Sequence, residues 1–592
     1  MTQEETRKTG FRFPRWTLAW TVLAIIIVFS LTLFSDWLSD SANIQPGIIN
    51  LFKLLTIFIT GIAWFIWLAI FSGLRLRLIY AFFAIVGLIG FFYSFRIILD
   101  GDLGFVRIEP RFIQRTFVEL STDQSTSTVD LTADLRKDFN QFLGNERDGV
   151  VRGRSLEDDW STNPPKVLWR QAIGEGWSGF AAVNGYGITQ EQRGQDECVS
   201  CYEIESGELV WIYKASRRHE DTMSMGKVGP RATPTIENGK IYVQGATGIL
   251  DCINGKDGTL IWSTNVVDIL GTDMQTKTNS QGFEYQYEDT HLSWGRSGSP
   301  LIYKDMVIAT GGQQSDGGFA TLIALDKNTG AEVWRGGSQM IAYGSPAINK
   351  LLGRDQVTIV AEAAAIGLDP ANGKTLWEIP RPGHSGQDAN CSQVTRLADN
   401  RILLSKGYGL GGQLVELSED NSESEGGIAT KTIWKNPRVF KTKMMSPVVR
   451  GDFAYSLTDG FLECSSLENE VEKGRRMWRK RGRFGNGQLL LVGDHLLVHT
   501  EYGVLKLIEA TPDSYNELGE IETIDGICWN TLCLYENYLL VRSELEAACI
   551  ELPLNSYAVE SANPVDPDQQ ATDASGSSKL DGQAKDEPAD NE

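Results

Sequence analysis

GPRATPTIENGKIYVQGATGILDCINGKDGTLIW, residues 229–262, decides the fold. A small residue and a Pro open a short apolar strand, a turn follows, and a second apolar strand comes after it. TGILDCI supplies a third strand, GKDG a turn, and a last strand ends on Trp262. Short strands joined by Gly, Asn and Asp turns make one antiparallel sheet. Such a sheet cannot bury both faces alone, so it calls for copies of itself alongside.

The copies are present. The turn before Trp recurs as ESGELVW at Trp211, KNTGAEVW at Trp334 and PANGKTLW at Trp377, with looser versions ending at Trp434 and Trp478. The opening recurs as ATP at Pro234, GSP at Pro300 and Pro346, and MSP at Pro447. This is the spacing of propeller blades. The β-branched residues and period-two alternation exclude a solenoid of helix pairs. The reading is an all-β eight-bladed propeller of four-stranded blades behind three transmembrane helices.

The chain has 592 residues, more than one ordinary domain, and about eight blades would take roughly 390 of them. Its formal net charge of −21 points away from nucleic acid, whose phosphates need clustered Lys and Arg.

In chain order, residues 1–15 form a cytoplasmic N-terminus carrying Arg7, Lys8, Arg12 and Arg15. A membrane anchor occupies 16–99, with apolar runs near 17–38, 48–71 and 78–99, each long enough to cross a bilayer. A cleaved signal peptide does not suit three such runs. The basic N-terminus and Arg75 and Arg77 of the second loop contrast with SDWLSDSANIQPG, which has two Asp and no Lys or Arg. The positive-inside rule then puts the N-terminus in the cytoplasm and the rest of the chain after residue 100 outside an inner membrane. Residues 100–140 read as a tether, 141–554 as the propeller and 555–592 as a disordered acidic tail. Seven units have their own last strand. The eighth, 527–554, lacks one, and PKVLWRQAI (165–173) is a Trp strand without partners, so the two ends together close the ring.

FLGNERDG (142–149), GPRATPT (229–235), WGRSGSP (294–300), YGSP (343–346), GQLLLVGD (487–494) and EAACIEL (546–552) resemble the PQQ-like (pyrroloquinoline-quinone-like) β-propeller repeat family, in particular its membrane-anchored planctomycete-type members. The family also includes quinoprotein alcohol dehydrogenases and the outer-membrane assembly lipoprotein propeller. The resemblance therefore implies a fold and leaves the function open.

Several constellations invite chemistry. Cys198 and Cys201 are spaced as a redox pair, but positions three apart in a strand point to opposite faces. Cys201, Cys252, Ala324 and Gly367 each lie ten residues before their Trp, so the position wants a small residue against the neighbouring blade. The repeated Trp residues read as packing between blades. The Pro of each opening motif suits the strand lining the channel, since it lacks a ladder donor. The residues before it, Arg231, Trp294, Arg296, Tyr343 and Met444, are then candidates for the channel mouth. There they would hold an anionic or planar ligand, or pair with acidic neighbours and plug the channel. The long insertion 263–293 offers Glu284, Glu288 and Asp289 as partners for Arg296. The five His are scattered, and no triad of Glu, Asn and Asp falls out by spacing.

The functional expectation is an envelope protein that binds through its propeller, with no catalytic residues, no metal and no cofactor. Its partner is an envelope protein or a small ligand at the mouth. The alternative is a PQQ-dependent dehydrogenase of alcohols or sugars, which implies PQQ with calcium.

Overall fold

The structure, a computed structural model, describes residues 13–40, 42, 44–72, 77–99, 105–110, 128–132, 137–221, 228–279, 281–288, 292–420, 427–468 and 474–555. The acidic tail beyond 555, most of the N-terminus and the Ser/Thr-rich part of the tether lie outside these residues.

Three helices, Arg15–Leu33, Pro46–Ile66 with its π-helical extension Trp67–Phe71, and Arg77–Ser94, are long and apolar enough to cross a membrane. The first two are cross-linked twice. Trp20 donates its indole N–H to Thr60 Oγ1 (3.0 Å) and Trp64 donates to Thr21 Oγ1 (2.9 Å). Between membrane helices such pairs contribute roughly 0.6 kcal/mol each, since the separated helices satisfy these groups in other ways. The first span stops at Leu33, short of 38, and a separate helix Ser35–Asp40 carries the polar loop SDWLSD. The third stops at Ser94, short of 99. Its end, Phe95–Leu99, is a strand paired antiparallel with Phe105–Pro110, so the start of the tether is a hairpin, as its aromatic and β-branched residues favour.

Eight four-stranded antiparallel sheets follow, with inner strands at Ala181–Val183, Thr235–Glu237, Leu301–Tyr303, Ala347–Leu351, Thr395–Ala398, Val448–Arg450, Gln488–Val492 and Cys533–Tyr535. We number the blades one to eight in that order. Lys166–Ala172 supplies the outer strand of blade eight, with Trp169 opposite Cys549, so the ring closes with the pairing read from the sequence. Asn184-Gly185 and Asn238-Gly239 join inner to second strands with both residues at positive φ, the backbone of a type I′ hairpin turn.

The apolar core is a set of clusters between neighbouring blades; one of them holds Ile188, Val199 and Trp211 of blade one with Ile236, Ile241 and Val243 of blade two. The outer-strand Trp is the fastener. Trp211 donates to Gly255 O of blade two (3.1 Å), Trp262 to Lys327 O of blade three (3.1 Å) and Trp334 to Pro370 O of blade four (3.1 Å). Trp478 donates to Thr511 O of blade seven (2.8 Å) and Trp169 of blade eight to Ile204 O of blade one (2.7 Å). Each indole of the first three, and that of Trp169, covers a glycine of the next blade's turn. Gly258, Gly330, Gly373 and Gly207 have φ near +73°, and a Cβ there would meet the ring at 2.5–2.7 Å. The small residue ten before each Trp faces that Trp across its own blade, as in Cys201 with Trp211 and Cys252 with Trp262. A bulge follows at each such pair. All eight cysteines are free.

The channel is filled from one face. We call that face, which bears the turns from inner to second and third to outer strands, the turn face; the opposite one is the mouth face. Phe139 exchanges backbone hydrogen bonds with Ala182 of blade one, and Ile236 N of blade two donates to Asn140 O (2.8 Å). Arg147, wholly enclosed, donates to Pro300 O (2.8 Å) and Ser299 O (2.9 Å) of blade three. Val150–Val151 pairs parallel with the inner strand of blade seven, and Arg154 reaches Leu534 O and Glu536 O of blade eight. FLGNERDG is thus the centre of a plug whose donors bond the inner strands of several blades. The tether also docks before it: Val129 and Leu131 are buried between blades one and two, and Val129 N donates to Lys256 O (2.9 Å).

The first loop of the anchor meets the mouth face at blade six. Lys441 Nζ donates to Ser39 O (3.2 Å), Ser39 Oγ donates to Asp459 Oδ2 (3.3 Å), and Lys441 pairs with Asp459 at 2.5 Å.

Trp169→Ala removes the closing fastener. Because the indole is half-buried, the loss should be roughly 2–4 kcal/mol, at or below the usual range for a core aromatic. Denaturant unfolding of the solubilised chain by Trp fluorescence checks it, and a midpoint equal to wild type would show that the ring does not depend on this strand.

Candidate mouth-face binding site

The segments leading into the inner strands are laced together by their hydroxyls. Gly179 N donates to Thr233 Oγ1 (3.3 Å), Thr233 N to Ser299 Oγ (2.9 Å), Ser299 N to Ser345 Oγ (3.0 Å) and Gln393 N to Ser446 Oγ (2.9 Å). The Ser or Thr before each Pro therefore accepts from the preceding blade, forming a partial belt around the mouth. The motif was plain in the sequence, but the role of its hydroxyl was not.

Two aromatic pairs flank the opening. Trp177 of blade one stacks on Trp529 of blade eight, with centroids 4.7 Å apart, and Trp529 donates to Glu501 Oε1 (2.8 Å). Across the ring, Trp294 lies 5.2 Å from Tyr343, and Arg231 Nε donates to Trp294 O. Three of the five sequence candidates, Arg231, Trp294 and Tyr343, thus form one half-buried cluster spanning blades two to four. Burial lowers the Arg231 guanidinium to about 10, so it stays charged at neutral pH. Met444 is half-buried on blade six and accepts from Gln488 Nε2 through its carbonyl (2.8 Å).

Arg296 is placed differently. It is wholly buried between blades two and three, with Glu288 Oε1 of the insertion 2.6 Å away and backbone carbonyls Thr310 O and Gly311 O as further acceptors. Of the carboxylates proposed as its partners, Glu288 reaches it. Glu284 is exposed, and Asp289 lies outside the described residues.

The insertion folds as a helix Val266–Leu270 and a hairpin of Gln275–Thr278 with Glu284–Tyr287. It packs on the loop after blade one. Gln286 N donates to Arg218 O (2.8 Å), Asn279 Nδ2 to Glu220 Oε1 (2.6 Å), and the Arg218 guanidinium lies 4.9 Å from the Phe283 ring. His219 is enclosed beneath it, with Nδ1 3.1 Å from Gln286 O. Burial, and then the charge of Arg231, lower it to about 3.

Other charges near the mouth are consumed internally. Arg217 bridges Glu197 and Asp251 at 2.6 Å each, Arg193 pairs with Glu191 at 3.1 Å, and Lys406 pairs with Asp388 at 3.3 Å. Such pairs hold the loops in one arrangement but cost desolvation, so they are weak evidence for net stability. Cys198 and Cys201 share one strand without a disulfide, and burial raises the thiol of Cys198 to about 12 and that of Cys201 further. Among the described residues, no three His, Cys, Asp or Glu side chains gather to hold a metal ion.

Eight blades fastened by outer-strand tryptophans, with a (Ser/Thr)-Pro opening to several, define a propeller of PQQ-like repeats. The family model described as outer membrane protein assembly factor BamB matches residues 161–281 and 275–480, more than half of the chain, and the protein belongs to that family. Several solved structures are similar at low identity. BamB from Moraxella catarrhalis is 14% identical over 66% of this chain and 100% of its own, with a TM-score of 0.43. Quinohemoprotein alcohol dehydrogenase from Comamonas testosteroni is 13% identical over 73% and 82%, also at 0.43. The computationally designed Ika8 protein is 9% identical over 64% and 98%, again at 0.43. No curated protein matches the chain.

Acid should loosen the propeller through its buried histidines. His219 and His499 are lowered to about 3 and about 4 by burial, whereas both take up protons near 6.5 once unfolded. Below 6.5 the unfolded chain therefore binds more protons. This part of the stability is complete above pH 6.5 and is lost as the pH falls toward 4, at up to about 1.4 kcal/mol per pH unit for each histidine. His499→Gln, compared with wild type in urea titrations at pH 7 and 5, should show the smaller loss.

Proposed function

We propose that the protein is a binding module of the cell envelope. Its three helices anchor it in the inner membrane with the N-terminus in the cytoplasm, and its propeller works outside without catalysing a reaction. The observation that carries this reading is the state of the mouth. FLGNERDG plugs the channel from the turn face, and Glu288 pairs with the fully buried Arg296. What the mouth presents is a rim of half-buried aromatics beside Arg231 and a hairpin whose first strand, Gln275–Thr278, is exposed along its length. Exposed insertions on a rigid scaffold are where recognition usually resides. The family description and the likeness to BamB agree with a protein partner; a small anionic or planar ligand beside Arg231, Trp294 and Tyr343 fits the same rim.

The second reading, oxidation of alcohols or sugars with PQQ and calcium, has in its favour the shared fold and the stacked aromatics. Against it, no three His, Cys, Asp or Glu side chains among the described residues gather as carboxylate-rich ligands for the calcium, which supports the first reading.

Orientation is checked by Asp40→Cys. An impermeant thiol reagent should label it in intact spheroplasts, where the native cysteines are buried or half-buried; labelling only after lysis would reverse the topology.

The site is checked by replacing 276–286 with a short Gly-Ser turn while keeping Glu288, so that Arg296 is not left buried without its carboxylate. Affinity capture from solubilised membranes should lose the wild-type partner while the melting temperature holds. Purified protein given PQQ, calcium and alcohols or aldoses should not reduce an artificial acceptor. Stoichiometric quinone binding with calcium-dependent dye reduction, abolished by Arg231→Ala, would establish the dehydrogenase instead.

A further inference from the structure

In a chain of net charge −21, residues 431–483 carry thirteen Lys and Arg against six Asp and Glu. The excess is concentrated at the outer edge of blade six, where GRRMWRKRGR (474–483) forms the strand Arg476–Arg481 and its flanks. Arg475, Lys480, Arg481 and Arg483 are exposed, as are Lys435 and Arg438 on the neighbouring edge of blade five. Aromatic rings of blades six and seven support the side chains. The Arg479 guanidinium lies 3.6 Å from the centre of the Phe461 ring, Lys480 Nζ 4.9 Å from Tyr515 and Arg483 5.0 Å from Tyr502. Cation–π contacts of this kind orient a cation without neutralising it.

The position of this edge identifies what it meets. Among the described residues, the membrane anchor touches blade six through Ser39 with Lys441 and Asp459. Ser39 lies in the helix just before the second span, so the basic edge belongs to a blade that sits beside the start of that span. Like charges gathered there are stabilised by anionic headgroups, each Lys or Arg near such a surface strengthening attraction by about fivefold.

We infer that the outer edge of blade six is a binding surface for anionic phospholipid headgroups, which seats the propeller on the membrane that anchors it. The aromatic-backed strand holds the cations, and the tie at Ser39 sets the tilt. This surface lies on the outer edge of the blade, apart from the channel mouth, and is independent of any partner bound there.

The test uses the full chain in nanodiscs of phosphatidylcholine, with or without about one third phosphatidylglycerol. Acetylation of Lys480 should slow severalfold with phosphatidylglycerol, while exposed Lys256 and Lys374 on the turn face are unaffected. In native mass spectrometry the detergent-solubilised chain should retain phosphatidylglycerol over phosphatidylcholine. Lys480→Glu with Arg481→Glu and Arg483→Glu should weaken that preference at least tenfold at an unchanged melting temperature. Equal labelling of Lys480 in both lipids, or an equal preference in the triple variant, would overturn the proposal. So would a phosphatidylglycerol preference seen only after deletion of 556–592, which would assign the edge to the chain's own acidic tail. RNA displacing the lipid at matched ionic strength would assign it to nucleic acid and overturn it too.

Discussion

The contact on which the propeller depends is an indole laid over a glycine turn of the next blade, its N–H bonded to a carbonyl of that turn. Both halves of the contact sit in one short motif. The turn glycine is needed for its positive φ and because the preceding Trp leaves no room for a Cβ. The Trp that ends the same motif then covers the following turn. One sequence signature is thus donor and receiver at once, and repeating it in order makes neighbours fit. Where the receiver changes, the Trp adapts: Trp377, facing a blade whose third and outer strands join through 420–427, donates to Gln356 of its own blade instead. Where the Trp is missing, in blade seven, Trp160 from outside the repeats packs over Gly519.

A ring built this way leaves an axial hole, and the chain fills it with its own segment. Arg147 is the means. Its guanidinium donates to two carbonyls of blade three and to Gln141, and burial lowers it only to about 9, so the charge is retained among oxygens. On the proposed reading, the plug leaves the rim and not the axis for a partner. At that rim the hydroxyl belt and the buried ion pairs hold the loops stiffly, so Arg231, Trp294 and Tyr343 are pre-positioned. Preorganisation of this kind lowers the ordering cost of binding more than it adds contacts.

The anchor and the propeller meet at the mouth face, so the protein has a membrane side and a far side. The tether spans that distance: it leaves the third helix as a hairpin and reaches the turn face at Val129 and Leu131. The protein is therefore tied at two faces, which limits how it can rotate about its anchor.

The spacing of Trp, turn and Pro was enough to show blades, their number, their strand order and the ring closure at Trp169. Each of these is a local hydrogen-bonding or packing requirement repeated along the chain. The spans were also legible, apart from ends where a polar helix at Ser35 and a strand at Phe95 take over. The pairing of Arg296 with Glu288 could be suggested because eight residues separate them. Tertiary structure alone decided the rest. FLGNERDG carries no period, so nothing local says that it enters the channel. The stack of Trp177 on Trp529 joins positions that only ring closure brings together. The basic edge of blade six was hidden in the net charge, because a sum over the whole chain erases where charges lie. A repeat is read from neighbours in sequence; a plug, a mouth and a charged edge exist only once the blades have gone around the ring.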